Sequence, residues 1–231
     1  MSLNLSFMLN TFLLCLKALP VTFSITIVAL LAAAPFGFFM ALCDIYRIHG
    51  LKQICALYIS FFRGTPIVLQ ILIVYSLVPS LLNSLIVSMG WNINIFDINP
   101  IYYAFIVFAL NNTALLAEIF RSALLAVDKT QYEAALSAGL SPVQSYWRIL
   151  IPQALVSALP NLGNLTINLI KNTSLAFLMT VKDVTATAKI SASYGYNYTE
   201  AYLDIFIIYL IVCGLIQVFF GKLEKGFKKN Q

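Results

Sequence analysis

"VTFSITIVALLAAAPFGFFMAL", Val21 to Leu42, is a run of 22 residues without a single charge. A hydrocarbon core about 30 Å thick is crossed by roughly 20 apolar residues in a helix, so this run predicts a transmembrane helix. Pro35 and Gly37 lie where a membrane helix tolerates a kink. The whole chain agrees with its first run. Hydrophobic residues make up 61% and charged ones 10% of the 231 residues, whereas soluble domains carry about 25% charged residues. The preceding "MSLNLSFMLNTFLLCLKALP" lacks a basic start and has Lys17 near the end of its apolar part, which does not fit a cleaved signal peptide. It reads as a lead-in to the first span.

Four further apolar runs follow. A polar break, "CDIYRIHGLKQ", precedes residues 54–87, which are interrupted only by Arg63 and the Gly64-Thr65-Pro66 triplet and span with a tilt or a break. Residues 101–125 form the third run although they hold Asn111, Asn112, Glu118 and Arg121. Residues 155–179 carry Lys171, and residues 201–220 complete the set. The expected architecture is one all-α integral membrane domain over residues 1–231, with about five transmembrane helices at 21–42, 54–87, 101–125, 155–179 and 201–220.

Lys and Arg are retained on the cytoplasmic side in short loops. With the N-terminus outside and the C-terminus cytoplasmic, the inner side receives Arg47, Lys52, Arg121, Lys129, Arg148, Lys222, Lys225, Lys228 and Lys229. The outer side receives Lys17, Lys182 and Lys189. Nine against three fixes the expected orientation and places the segment around residues 128–152 in the cytoplasm. The net charge of +5 sits on scattered residues, which suits anionic lipid headgroups better than nucleic acid. Cys15, Cys43, Cys55 and Cys213 lie in or beside apolar runs with no metal-site or disulfide spacing, and read as small buried hydrophobes. His49 is alone in a polar loop. No metal site is expected.

The most polar long stretch is "TQYEAALSAGLSPVQSYWRILIPQA", Thr130 to Ala154. Thr130 and Glu133 have the spacing of a capping box that starts a helix over Gln131 to Ala138. Gly139 falls where a left-handed residue ends it. Ser141, Pro142 and Gln144 then supply an N-cap, a first-turn proline and a second capping box for a helix from Pro142 to about Leu150. Two readings of this helix-corner-helix unit stand on the residues alone. It is a passive connection between spans, or it is a rigid knob offered to a soluble partner, with small residues (Ala134, Ala135, Ala138) and aromatics (Tyr146, Trp147) on its surface.

The stretch resembles the EAA loop of permease subunits from bacterial ABC importers, with Glu133, Ala134, Ala135, Gly139 and Pro152 at the motif positions and Ile151 where leucine is usual. "FFRGTPIVLQ", "ALLAEIFRSALLAV" and "LPNLGNLTINLIKNTSLAF" are similar to segments of the polar-amino-acid branch of those importers, over roughly residues 21–224. Ser122-Ala123, where many members have two glycines, and "AVDKTQYEAALSAGLSP" look more like the cystine branch. The resemblance implies the type I ABC importer fold, with the loop at 128–152 forming coupling helices that dock in a groove of the ATPase through Glu133, Ala134, Ala135, Gly139, Ser141 and Pro142. It implies two ATPase subunits holding ATP and Mg, a second permease chain (identical or homologous), an extracytoplasmic solute-binding protein, membrane lipid and an amino-acid substrate, in the bacterial cytoplasmic (inner) membrane. No cofactor and no catalytic residue are expected on this chain.

The translocation path is expected to draw on Arg63, Asn112, Glu118, Lys171, Asn172 and Ser174. An ionisable side chain inside a span is costly and faces protein or water, or snorkels to an interface. Both roles stand open for Lys171. Glu118 and Arg121, three apart, pair along one helix face. Asn111 and Asn112 bond between helices or to substrate. Arg63 meets a carboxylate or the carbonyls freed by Pro66. No G-x-x-x-x-G-K-[ST] loop occurs, so the chain has no P-loop of its own. The rival functions are a secondary transporter, against which the absence of internal repeats speaks, an intramembrane enzyme, for which no catalytic constellation exists, and a non-transporting scaffold.

Overall fold

The computed structural model describes residues 3–91 and 95–229, with the side chains of Lys228 and Lys229 outside the description. The described residues are helical with short connections. Helix α1 (Leu5–Ile45) is 41 residues long, so the expected lead-in is part of the first helix itself. Asn4 caps it, its side chain accepting from the Phe7 amide at 3.1 Å, and the Asn4 amide donates to Glu200 Oε1 at 3.1 Å. The start of the first helix is thereby tied to the start of the last.

Helix α1 continues through Pro35 and Gly37, and the glycine has a use other than a hinge. A Cβ on Gly37 would lie 2.9 Å from Leu116 Cβ and 3.1 Å from the Ala117 nitrogen. Its missing side chain lets α1 press directly on α4 (Ile101–Ala126). Those two helices form the centre of the bundle, and Ile25, Ala29, Ala104, Val107 and Phe108 are buried between them and their neighbours.

The second apolar run is two helices, α2 (Leu51–Gly64) and α3 (Ile67–Ser88), divided at Thr65 and Pro66. Pro66 has no N–H to donate and biases Thr65 to an extended backbone, which ends α2. Helix α5 (Lys129–Ser137) and the short α6 (Pro142–Ser145) form the polar hairpin. A π-helical turn, Tyr146–Leu150, joins α6 directly to α7 (Ile151–Thr173). Pro152 cannot donate to the Arg148 carbonyl, and the wider turn absorbs the clash of its ring with the preceding turn. The second hairpin helix is therefore the beginning of α7, rather than a unit that stops near Leu150.

A 3-10 segment, Ser174–Met179, and a left-handed Thr180 lead into α8 (Val184–Ser193). Helix α9 (Tyr198–Lys229) closes the chain. It packs on α7, α1 and α8. Among the described residues, four helices are long and apolar enough to cross a membrane: α1, α3, α4 and α9. Helix α7 is not among them, and the reason is the polar face described below.

Candidate functional site

The hairpin after α4 begins with a correction. Asp128, rather than Thr130, caps α5: its carboxylate accepts from the Thr130 amide at 2.9 Å, so the helix starts at Lys129 and the Thr130/Glu133 capping box does not form. The sequence Asp-Lys-Thr offers two caps two residues apart, and the carboxylate takes the position. That same bond holds the Asp128 carboxyl below its ordinary value.

At the other end, Gly139 has φ +84°. Its amide donates to the Leu136 carbonyl at 2.9 Å and the Leu140 amide to the Ala135 carbonyl at 3.1 Å, the bond pair of a Schellman motif. The second capping box forms as read: the Ser141 amide donates to Gln144 Oε1 at 2.9 Å and the Gln144 amide to Ser141 Oγ at 3.3 Å. Glu133, Ala134, Gly139, Ser141 and Pro142 are exposed, and Ala135 is buried under the corner. Tyr132 and Tyr146 stack edge to face at 5.8 Å and hold the two arms together. Val143 and Trp147 remain exposed.

Above the hairpin, a cavity of about 670 Å³ opens between α1, α2 and α4. Charges cross it in a chain. Lys52 Nζ lies 3.2 Å from Asp44, Arg121 Nε 3.7 Å from Asp44, Arg121 Nη2 3.0 Å from Glu118, and Arg63 Nη1 3.6 Å from Glu118. Arg63 thus meets a carboxylate of its own chain. The carbonyls freed at Pro66 go to Gln70, whose Nε2 donates to the Phe62 and Thr65 carbonyls at 3.0 and 3.1 Å. Asn111 of α4 donates to Gln70 Oε1 at 2.9 Å and fixes it there. Asn112 faces elsewhere. It is buried, donates to the Phe108 carbonyl within α4 at 2.8 Å, and keeps its Oδ1 without a partner.

The exposed face of α7 carries Ser157, Asn161, Asn164, Asn168 and Lys171, one residue every three or four positions. That spacing is a single helical stripe. Lys171 is exposed and has no ion-pair partner among the described residues, while Asn172 and Ser174 beside it are half-buried. The flank beside it packs Ala154, Ala158, Leu165 and Leu169 into the bundle. Lipid cannot satisfy three carboxamides and an ammonium. The α7 stripe must face water or another polar surface. The structure brings Arg63 and Glu118 together, keeps Asn112 inside the bundle, and leaves Lys171 on α7. The asparagine stripe was missed in the sequence, although reading residues 155–179 at helical period exposes it.

The model of the family described as binding-protein-dependent transport system inner membrane component matches residues 33–229. The chain belongs to that family. It is a multi-pass inner membrane component of an ABC transport system, a transport subunit whose relatives are permeases. It is 42% identical to the L-cystine transport system permease protein TcyL of Bacillus subtilis (strain 168), over 92% of this chain and 87% of that one. It is 36% identical to the probable amino-acid permease protein YxeN of the same organism, over 99% and 97%. Among solved structures, a crystal structure of an amino acid ABC transporter with histidines superposes over all of both chains with a TM-score of 0.78 at 29% identity. A chain of the MetNI methionine ABC transporter, in an inward facing conformation, shares the fold with a TM-score of 0.69 at 17% identity, covering 98% and 99%. Members of this family of inner membrane components work with ATPase subunits and binding proteins.

Proposed function

We propose that this chain is the permease subunit of an ATP-driven importer that carries a polar amino acid, L-cystine or a related sulfur amino acid, into the cell. The observation that carries the reading is the 42% identity along 92% of the chain to a protein named as an L-cystine transport system permease. Five membrane crossings, with α2 and α3 together making the second and α7 the fourth, follow from adding the half-polar α7 to the four apolar helices. The surplus of Lys and Arg supports a cytoplasmic hairpin.

In this reading the hairpin, residues 128–152, is the coupling element. Glu133, Ala134, Ala135, Gly139, Ser141 and Pro142 present a stiff, glycine-cornered surface to the groove of a separate ATPase, which holds ATP and Mg. A second permease chain, identical or homologous, faces the α7 stripe, and the two enclose a wet path that one bundle of five helices is too small to form. Lys171 supplies the cation for a substrate carboxylate, and the carboxamides of Asn161, Asn164 and Asn168 accept and donate to its polar ends without fixing it. Asn172 and Ser174 extend that lining. Arg63 and Glu118 flank its cytoplasmic side, and Asn112 backs it from inside the bundle. An external binding protein delivers the substrate.

The test is reconstitution of the chain with its ATPase and binding protein in proteoliposomes, followed by uptake of radiolabelled cystine, arginine and histidine. ATP-dependent uptake of cystine in preference to the other two is expected, with Lys171→Met reducing both uptake and substrate-stimulated ATPase. Uptake that persists in vesicles lacking the ATPase would sink the importer reading, and preference for arginine or histidine would sink the substrate.

A further inference from the structure

One group of buried oxygens lies away from the hairpin, the charged cavity and the α7 stripe. Between α7 and α8 the helix unwinds through the 3-10 segment and the left-handed Thr180, and Asp183 begins α8 by accepting from the Ala186 amide at 2.8 Å. The Asp183 side chain is fully buried, yet its Oδ2 has no partner. Beside it lies the Tyr209 hydroxyl of α9, surrounded by the hydroxyls of Thr22 from α1, Thr173 at the end of α7, and Thr185 from α8. The Tyr209 hydroxyl is within reach of all three threonine hydroxyls and Asp183 within reach of Thr185, yet none of Thr22 Oγ1, Thr185 Oγ1 and Tyr209 Oη closes a well-formed hydrogen bond. Four unpartnered oxygens thus converge where α1, α7, α8 and α9 meet.

Buried polar groups in a native protein are nearly always paired, and a buried carboxylate without a counter-charge is far more costly than a hydroxyl. Among the described residues no Lys or Arg nitrogen lies within 4.0 Å of Asp183. Lys182, its neighbour, is exposed, and Lys189 is spent over the Phe177 ring at 3.8 Å. What is missing is positive charge, and the atoms on offer are all hard oxygens. Hard oxygen sets select alkali and alkaline-earth cations over transition metals. The charge decides between those two. One carboxylate with neutral hydroxyls is balanced by a single positive charge, whereas a divalent ion would leave one charge buried.

We propose that Asp183, Thr22, Thr185 and Tyr209, with Thr173 beside them, hold a small monovalent cation, Na⁺ in the first instance, at the unwound joint between α7 and α8. The ion fastens α1 and α9 to the joint between α7 and α8, and so sets the rigidity of the element that carries the α7 stripe.

The measurement is thermal stability of the complete transporter complex at fixed pH and ionic strength, with NaCl replaced stepwise by choline chloride. The readout does not depend on which substrate is carried, so its failure is separate from failure of the transport reading. Saturable stabilisation by Na⁺, absent with choline, is expected. Asp183→Asn removes the Na⁺ dependence while Asp204→Asn, which changes a second buried carboxylate on α9, retains it. Since Asp183 also caps α8 and its variant could fail to assemble, Thr22→Val and Thr185→Val serve as the second test: each is expected to raise the half-saturating Na⁺ concentration by about tenfold. Identical curves in Na⁺ and choline, equal behaviour of the threonine variants and the parent, or loss of the dependence in Asp204→Asn alone would each overturn the site. Stabilisation by protons alone, seen as a pH effect with no Na⁺ effect, would overturn it as well.

Discussion

Gly139 adopts φ +84° with nothing within 4 Å of a Cβ built upon it, so a side chain there is opposed by backbone conformation rather than by space. An L-residue in the left-handed region costs about 1 to 2 kcal/mol. Gly139→Ala is therefore expected to loosen the corner by about that amount and to weaken co-purification with the ATPase, while the unfolding temperature of the membrane bundle stays near that of the parent. Gly139→Asn, which tolerates the same conformation, should sit between them. The two candidate caps of α5 give a sharper comparison. Asp128→Ala removes the carboxylate that accepts both the Thr130 amide and the Thr130 hydroxyl, whereas Thr130→Ala removes the hydroxyl and leaves the bond from the amide in place, so the first should increase protease cleavage within residues 128–138 more than the second. Because that bond lowers the Asp128 pKa from 3.8, the cap is fully present above the unfolded value and is lost as pH falls through the folded one. The Asp128 cap is accordingly insensitive to pH throughout the neutral range.

At the level of the helix, the close approach of α1 and α4 depends on one missing methyl group. The neighbours of a Cβ on Gly37 are the Leu116 Cβ at 2.9 Å and the backbone atoms Ala117 N and Thr113 O at 3.1 Å, none of which can swing away. Gly37→Ala forces the two helices apart, and overpacking of that kind costs about 1 to 3 kcal/mol. A lowered melting temperature of the purified complex is expected, without change in the labelling of the hairpin. The joint of α2 and α3 behaves differently. Gln70→Leu keeps the volume but strands the Thr65 carbonyl and leaves the Asn111 amide only its 3.4 Å bond to the Phe62 carbonyl, and an orphaned buried group costs about 1 to 3 kcal/mol. These cases also mark what the sequence discloses. The Gly139 corner and the Ser141 box were legible because both are satisfied by residues three to five positions away. The stop at Pro66 was legible for the same reason. The partner of Gln70 lies on another helix, the choice between Asp128 and Thr130 depends on how α4 delivers the chain, and Gly37 looked like a hinge because only its neighbour across the interface reveals it as a contact.

Over the whole molecule, two kinds of exposed surface divide the bundle. On α9, Phe206, Leu210, Leu215, Val218 and Phe219 are exposed and apolar, which is what acyl chains cover without loss. On α7, one exposed stripe holds Ser157, Asn161, Asn164, Asn168 and Lys171, which acyl chains cannot cover. Both surfaces are equally open in a single chain, so the distinction is one of chemistry and predicts a difference in wetness once the complex is in a bilayer. Cys15, Cys43 and Cys55 are buried and only Cys213 is partly open, so a Cys213→Ala background is nearly silent to thiol reagents. Single cysteines at Asn164 and Asn168 should react in proteoliposomes with a charged, membrane-impermeant reagent, and cysteines at Leu210 and Leu215 should not. The reactions at Asn164 and Asn168 should slow when substrate and its binding protein are supplied with a non-hydrolysable ATP analogue, because the path is then occupied or closed. Equal reactivity on both helices would mean that α7 borders lipid or a leaky interface, and an unreactive α7 would mean that a second chain seals the stripe dry; either result removes the stripe from the path.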